Sequence, residues 1–220
     1  MISVLLATYN GEKYLDLSIS SVLGQSFKDI ELLIGFNGTN DRSMEIVKKY
    51  TDKRIKIFDY GDDKGKSKTL NKLLKECKYN WIALQDDDDI WISKKIERQI
   101  EYLNSYDVIG TFISYIDSDG QITGCPDLYS FNDDIKNMSM CGVNQIANTS
   151  AIFKKSDALE INGWREDIDG IEDYDFWLKL MRNGKKFINI PEKLVLHRLR
   201  SDSNFNTKKY DLSEILNVNR

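Results

Sequence analysis

The first half of the chain alternates between two hydrophobic rhythms. ISVLLA (2–7), IELLIGF (30–36), RIKIFDY (54–60) and WIALQ (81–85) are short runs rich in aliphatic and β-branched residues, the signature of buried strands. Between them GEKYLDLSISSVLGQ, SMEIVKKY and KSKTLNKLLKEC carry apolar residues at helical spacing. Gly24 stands near the end of the first helix, and Asp41 or Ser43 is placed to cap the second. The order βαβαβαβ predicts a mostly parallel sheet covered by helices on both faces.

Beyond residue 92 the pattern loosens. SKKIERQIEYL predicts a helix, VIGTFISYI a strand, DSDGQI a tight turn and SAIFKKS another strand. IEDYDFWLKLMRNG predicts an amphipathic helix stopped at Gly184, and KKFINIPEKLVLHRL two strands separated by a turn at Pro191. Residues 125–145 show no clear periodicity, and the polar tail from Ser201 reads as mobile.

A length of 220 residues suits one α/β domain with a substantial core, and 41% hydrophobic with 30% charged residues is an ordinary globular balance. A net charge of -4 argues against a nucleic-acid partner, which needs a basic face. No run is long enough to span a membrane, and the first residues lack the basic flank of a signal peptide. Three scattered cysteines without a C-x-x-C pair fit a reducing, cytoplasmic compartment and no zinc site; peripheral membrane association and a homodimer stay open.

One stretch breaks the pattern. In WIALQDDDDIW four aspartates, Asp86 to Asp89, follow a buried strand and are followed at once by Ile90 and Trp91. Like charges this close repel, and carboxylates are not drawn toward a core without a counter-charge, so the run is either solvated or neutralised. Its place at the carboxyl end of a strand, where ligands of open α/β sheets sit, favours a bound cation. Oxygen ligands in an Asp-x-Asp spacing suit Mg²⁺ or Mn²⁺, which take one or two carboxylates together with phosphate oxygens and water. The same rule brings TYNGE and FNGTN to the same rim.

Other candidate motifs fail or stay open. GDDKGKS follows a strand, but a phosphate loop needs four residues between its glycines and this stretch has three; TYNGE has only one glycine of a dinucleotide fingerprint. GIEDYDFW opens a helix with Glu172 and Asp173, either as dipole-favoured acids or as a general base at a pocket edge. The single histidine, His197, reads as structural more readily than as a ligand, and Trp91, Trp164 and Trp177 as core or pocket wall.

Taken in order, ISVLLATYNGEKYLDLSISSVLGQSFKDIELL, KGKSKTLNKLLKECKYNWIALQDDDDIW and INGWREDIDGIEDYDFWLKLMRNGKKFINIPEKLVL resemble a family-two glycosyltransferase of the GT-A fold. The resemblance implies a Rossmann-like central sheet with a small mixed acceptor-side subregion, 1–117 forming a nucleotide-binding half and 118–200 an acceptor and base half. It implies transfer of a sugar from a nucleotide-diphosphate donor to an acceptor hydroxyl, usually with inversion. The acceptor class, whether glycan, lipid-linked or protein, stays open. On the matching motifs, Thr8, Tyr9 and Glu12 lie against nucleoside, and Lys68 and Asp87 join the donor-binding residues. Asp88 is the direct metal ligand with Asp86 nearer the ribose, Asp87 or Asp89 could share these roles, and Glu172 and Asp173 form the Glu-Asp motif with Asp173 the base.

Two positions depart from the family pattern. The family's Asp-Asp-Gly-Ser loop is Phe36-Asn37-Gly38-Thr39, so Asn37 offers the base an amide instead of a carboxylate. The histidine of Tyr-Arg-x-His-Ser-x-Ser is Arg200, a fixed charge suited to diphosphate, while His197 sits three positions earlier. These departures leave a rival reading, a catalytically inactive module that holds a nucleotide or a partner.

Overall fold

A computed structural model describes residues 1–168, 170–200 and 211–216. Strands β1 (Ile2–Thr8), β2 (Ile30–Phe36), β3 (Ile55–Asp59) and β4 (Trp81–Asp86) alternate with helices α1 (Leu15–Leu23), α2 (Ser43–Lys48) and α3 (Lys66–Glu76). The four strands are parallel in the order β3-β2-β1-β4. Parallel strands need helical crossovers, and these crossovers cover both faces of the sheet.

The period-two alternation of the strands sorts their side chains between two cores. Leu5, Leu33, Ile82 and Leu84 face α3 and its neighbours, while Val4, Leu6, Leu32, Ile34 and Ala83 face α1 and α2. Strand β2 is buried along its whole length, its one charged residue, Glu31, accepting the Ser3 hydroxyl and pairing with Lys56 Nζ at 2.7 Å. Gly35 lies where α3 crosses closest: a Cβ there would stand 2.6 Å from Thr69 Cγ2 and 3.0 Å from Leu73 Cδ1.

The sheet continues as a mixed region through β5 (Ile90–Trp91), β6 (Val108–Ile116), β7 (Ile122–Gly124), β8 (Ile152–Lys154) and β9 (Phe187–Arg198). Among the described residues its full order is β3-β2-β1-β4-β8-β6-β9-β5, with β7 on β6. Strand β8 is antiparallel to both β4 and β6, and β9 runs parallel to β6. The expected α/β sheet with a mixed second region is therefore present.

Pro191 does not turn the chain. Strand β9 is continuous, and the register jumps from Thr111 opposite Ile190 to Phe112 opposite Lys193, leaving Pro191 and Glu192 unpaired. A bulge accommodates proline because the ladder does not need its missing N–H there. Residues 125–145 contain an unforeseen helix, α5 (Asn132–Met140), after α4 (Lys95–Ile100); α6 (Lys155–Glu160) is a second.

Helix α7 (Glu172–Arg182) has acids in its first turn and bases in its last, both favoured by the dipole. Its Phe176 stacks on Trp164 at 4.3 Å, beside Phe153 and Trp177. The short helix Ser213–Leu216 docks on this element: Ile215 is fully buried, and Arg182 Nη2 donates to the carbonyls of Ile215 and Leu216 at 2.8 and 2.9 Å. The expectation of a mobile tail from Ser201 falls largely on positions 201–210 and 217–220, which lie outside the described residues.

Substituting Gly35→Ala forces the new methyl into Thr69 and Leu73. The expected outcome is a loss of about 1–3 kcal/mol of stability, from overpacking where sheet and helix meet. Urea denaturation reads it as a lower midpoint at unchanged slope.

Candidate active site

Strands β1, β2 and β4 end on one rim, and beyond them opens a cavity of about 1140 Å³. Its walls include Thr8, Tyr9, Asn37, Lys66, Asp86, Asp87, Asp88, Glu172, Asp173, His197 and Arg200, drawn from both ends of the chain. Most of the candidate residues therefore share one space. Glu12 and Lys68 do not line it: Glu12 Oε2 accepts from the Arg42 backbone N–H and Nε, and Lys68 Nζ pairs with Asp63 at 2.9 Å.

Each aspartate of the acidic turn has its own counterpart. Asp86 Oδ1 lies 2.6 Å from Lys66 Nζ and accepts from Asn148 Nδ2 at 3.0 Å. Asp87 accepts the Thr8 hydroxyl at 2.6 Å, a contact that requires Gly11, because a Cβ there would stand 2.6 Å from both partners. Asp89, fully buried, meets His197 Nδ1 at 2.9 Å and accepts the Arg198 N–H at 2.8 Å. Among the described residues the Asp88 carboxylate meets only the Arg200 guanidinium, 3.5 Å away.

The protonation of these groups follows from that division. Burial raises Asp86, but the adjacent Lys66 ammonium outweighs it and holds the carboxyl below its usual range. Burial, with the charge of Asp86 adding to it, pushes Asp87 up to about 6. Burial and then the charges of Asp89, Asp87 and Asp86 push Asp88 up to about 7. Asp88 is thus the member of the turn whose carboxyl is pushed up furthest, and it brings hard oxygen donors to the cavity wall. Among the described residues no three His, Cys, Asp or Glu side chains converge on a complete metal cage. The donor set instead fits a cation that takes one or two carboxylates and completes its shell from phosphate and water.

Across the cavity Asp173 sits in the first turn of α7. Its Oδ1 accepts the Tyr174 N–H at 2.7 Å and its Oδ2 the Asn144 amide at 3.2 Å. Burial and then the neighbouring Glu172 push its carboxyl up to about 7, against the pull of Lys66. Glu172 accepts the Gly170 N–H at 2.6 Å and lies 3.9 Å from Lys66 Nζ, so one lysine stands between the acidic turn and the Glu-Asp pair.

Lys66, Asn144 and Asn148 escaped the sequence reading. Lys66 had a usable signal: it shares the stripe of Thr69, Leu70 and Leu73 that faces inward, whereas Lys68 lies off it. The two asparagines had none, because they sit in an irregular segment whose course is set by tertiary contacts.

The family model described as Glycosyl transferase family 2 matches residues 3–161. The chain is 33% identical over 213 residues to O-antigen biosynthesis glycosyltransferase WbnJ of Escherichia coli, covering 92% of this chain and 81% of that one. It is 30% identical over 190 residues to UDP-Glc:alpha-D-GlcNAc-diphosphoundecaprenol beta-1,3-glucosyltransferase WfaP of Escherichia coli, covering 86% and 73%. Among solved structures, S. aureus TarS 1-349 in complex with UDP-GlcNAc superposes with a TM-score of 0.81 at 18% identity, over 97% of this chain and 63% of that one. The mannosyltransferase PcManGT from Pyrobaculum calidifontis, in complex with GDP-Man and Mn²⁺, gives 0.71 at 14%, over 91% and 57%. The chain thus spans less than two thirds of either solved chain, and at these identities the likeness shows the fold.

The His197–Asp89 contact carries a pH signature. Burial opposes the charge on His197, but Asp89 outweighs it and raises the imidazole from 6.5 to about 9. A raised folded-state value stabilises fully below pH 6.5 and is lost as pH rises through about 9. Wild type is expected to lose on the order of 1–2 kcal/mol relative to His197→Gln between pH 6.5 and pH 10, allowing for the ring's partial exposure. Parallel denaturation curves at the two pH values check it.

Proposed function

The chain belongs to glycosyl transferase family 2 and is a glycosyltransferase of the GT-A fold; on that premise we propose that it transfers a sugar from a nucleoside-diphosphate donor to an acceptor hydroxyl, with inversion, in a divalent-metal-dependent reaction. The observation that carries this reading is that Asp88 and Asp173 line a single cavity. The UDP-GlcNAc of the TarS complex supports a nucleotide-sugar donor.

Tyr9 and Asn37, at the ends of β1 and β2, flank the nucleoside, and Asn37 is 5% exposed with its amide at the cavity wall. Asp88, with Asp86 beside it, would hold Mg²⁺ or Mn²⁺, whose chemistry there is to neutralise charge gathering on the departing diphosphate. The Mn²⁺ of the PcManGT complex supports that assignment. Arg200 adds a fixed positive charge on the same side, and Lys66 keeps Asp86 ionised and aimed at the rim.

Asp173 takes the proton of the acceptor hydroxyl as that oxygen bonds the anomeric carbon and the bond from this carbon to the phosphate oxygen breaks. Attack from the face opposite the leaving group inverts the centre. The hydrogen bonds from Asn144 and Tyr174 fix the base, and its raised carboxyl is matched to proton transfer near neutral pH. The name of WfaP, which carries a diphosphoundecaprenol acceptor, favours a lipid-linked glycan acceptor here. Among the described residues no helix is long and apolar enough to cross a membrane; peripheral contact with the membrane that carries such an acceptor is part of this proposal.

Asp173→Asn is expected to lower kcat by about 10²–10⁴-fold, the usual contribution of a positioned base, with the fold intact by circular dichroism. Wild-type activity retained in that variant overturns the assignment. The kcat/KM profile should fall as pH drops through about 7, because the base must be ionised and its carboxyl lies that high. An acid limb near pH 4 contradicts it. For the donor, thermal shifts with UDP, GDP, dTDP and CDP should be larger with Mn²⁺ than without, and Asp88→Asn should remove the difference.

A further inference from the structure

Behind the acidic turn lies a closed set of buried hydrogen bonds with Gln85 at its centre. Gln85 is 2% exposed, on β4 immediately before Asp86. Its Nε2 donates to Ser18 Oγ at 2.7 Å and to the Asp89 carbonyl at 2.7 Å, and its Oε1 accepts the Thr149 hydroxyl at 3.0 Å. Ser18 Oγ in turn donates to the Asp86 carbonyl at 2.8 Å. Every donor and acceptor has one consistent assignment: two amide protons, one carbonyl oxygen, one serine proton and one serine lone pair.

That set grips the turn by both ends, Asp86 through Ser18 and Asp89 directly. It also reaches the turn's side-chain partners, since Thr149 adjoins Asn148, which donates to Asp86 Oδ1. The Thr149 carbonyl in turn accepts from Trp91 Nε1 at 2.9 Å, two residues past the turn. Helix α1, strand β4 and the 148–150 segment are thereby fixed around one amide. The four carboxylates repel one another, so a turn held only at its carboxylates would be free to spread; a clamp on its backbone sets their separation instead.

We propose that Gln85, with Ser18 as its link, is a positioning residue for the divalent-cation site: it holds the backbone of Asp86–Asp89 so that Asp86 and Asp88 can serve one cation. This rests on the metal-dependent reading given above. Gln85 touches neither donor nor acceptor and acts through the turn, as outer hydrogen-bond partners of metal ligands do, whose loss commonly weakens metal affinity by about 10–100-fold.

The test is a titration with Mn²⁺ alone, following free Mn²⁺ by electron paramagnetic resonance, on the full chain as wild type, Gln85→Leu, Ser18→Ala, these two combined, and Asp88→Asn, far below each melting temperature. Gln85→Leu is expected to weaken Mn²⁺ binding by about tenfold or more, and Ser18→Ala in the same direction by less. The double substitution should fall short of the sum of the two singles, because both break one chain of bonds. A purely structural role lowers the melting temperature but leaves Mn²⁺ affinity of the folded protein unchanged. Ser18→Ala, which removes one hydroxyl, keeps the test open should Gln85→Leu not fold. Unchanged affinity in Asp88→Asn sinks the metal-site reading and this inference with it. A weakened Asp88→Asn beside wild-type affinity in both Gln85→Leu and Ser18→Ala overturns this inference alone.

Discussion

Four consecutive carboxylates at the end of a buried strand impose the constraint around which the rim of this protein is organised. Two unit charges 4 Å apart near a protein surface interact by about 4 kcal/mol, so four ionised neighbours without counter-groups would unfold their own turn. The fold answers with partners from separate elements: Lys66 from α3 for Asp86, Thr8 from β1 for Asp87, His197 and Arg198 from β9 for Asp89. Because each partner arrives on a different element, the turn is where much of the sheet's carboxyl edge is tied together. Asp88 meets Arg200 at 3.5 Å, and burial together with the charges of the neighbouring aspartates pushes its carboxyl up despite that guanidinium.

The same economy links the two sides of the cavity. Lys66 lies 2.6 Å from Asp86 and 3.9 Å from Glu172, and Asn144 and Asn148, four residues apart, donate to Asp173 and Asp86. The proposed base and the proposed cation site are therefore held by shared elements, although α7 and β4 are far apart in sequence. A displacement of the 144–148 segment would disturb both, which explains why an irregular stretch is pinned by Gln145: its Oε1 accepts the Tyr129 N–H and its carbonyl the Asn189 amide.

What the sequence disclosed follows from where its signals are local. The first four strands and three helices were legible because period-two and period-3.6 patterns are imposed by burial on both faces of a parallel sheet. The acidic turn was legible because charge between Leu84 and Ile90 contradicts its surroundings. Pro191 misled, since a proline usually ends a strand, and only the long pairing of β9 with β6 shows that the ladder steps over it. Helix α5 stayed hidden because Ile135 is its one buried large apolar residue, too little to make a periodic pattern. Lys68, which the resemblance implies for donor binding, pairs with Asp63, while Lys66, on the inward stripe of the same helix, lines the cavity. Asn144 and Asn148 could not be found from local pattern at all, because their partners lie 29 and 62 residues away.

The two departures from the family pattern push the cavity's electrostatics in one direction. At Asn37 a carboxylate is replaced by a neutral amide; at Arg200 an imidazole is replaced by a cation that does not titrate in the physiological range. Each change makes the rim more positive. That rim already carries Asp86, Asp87, Asp88, Glu172 and Asp173, with burial raising three of them, so further negative charge would favour protonation over ion pairing. A donor diphosphate adds more. An amide at Asn37 and a fixed guanidinium at Arg200, 3.5 Å from Asp88, therefore leave this rim less negative than a carboxylate and a neutral imidazole would, which offsets part of the charge of the acidic turn.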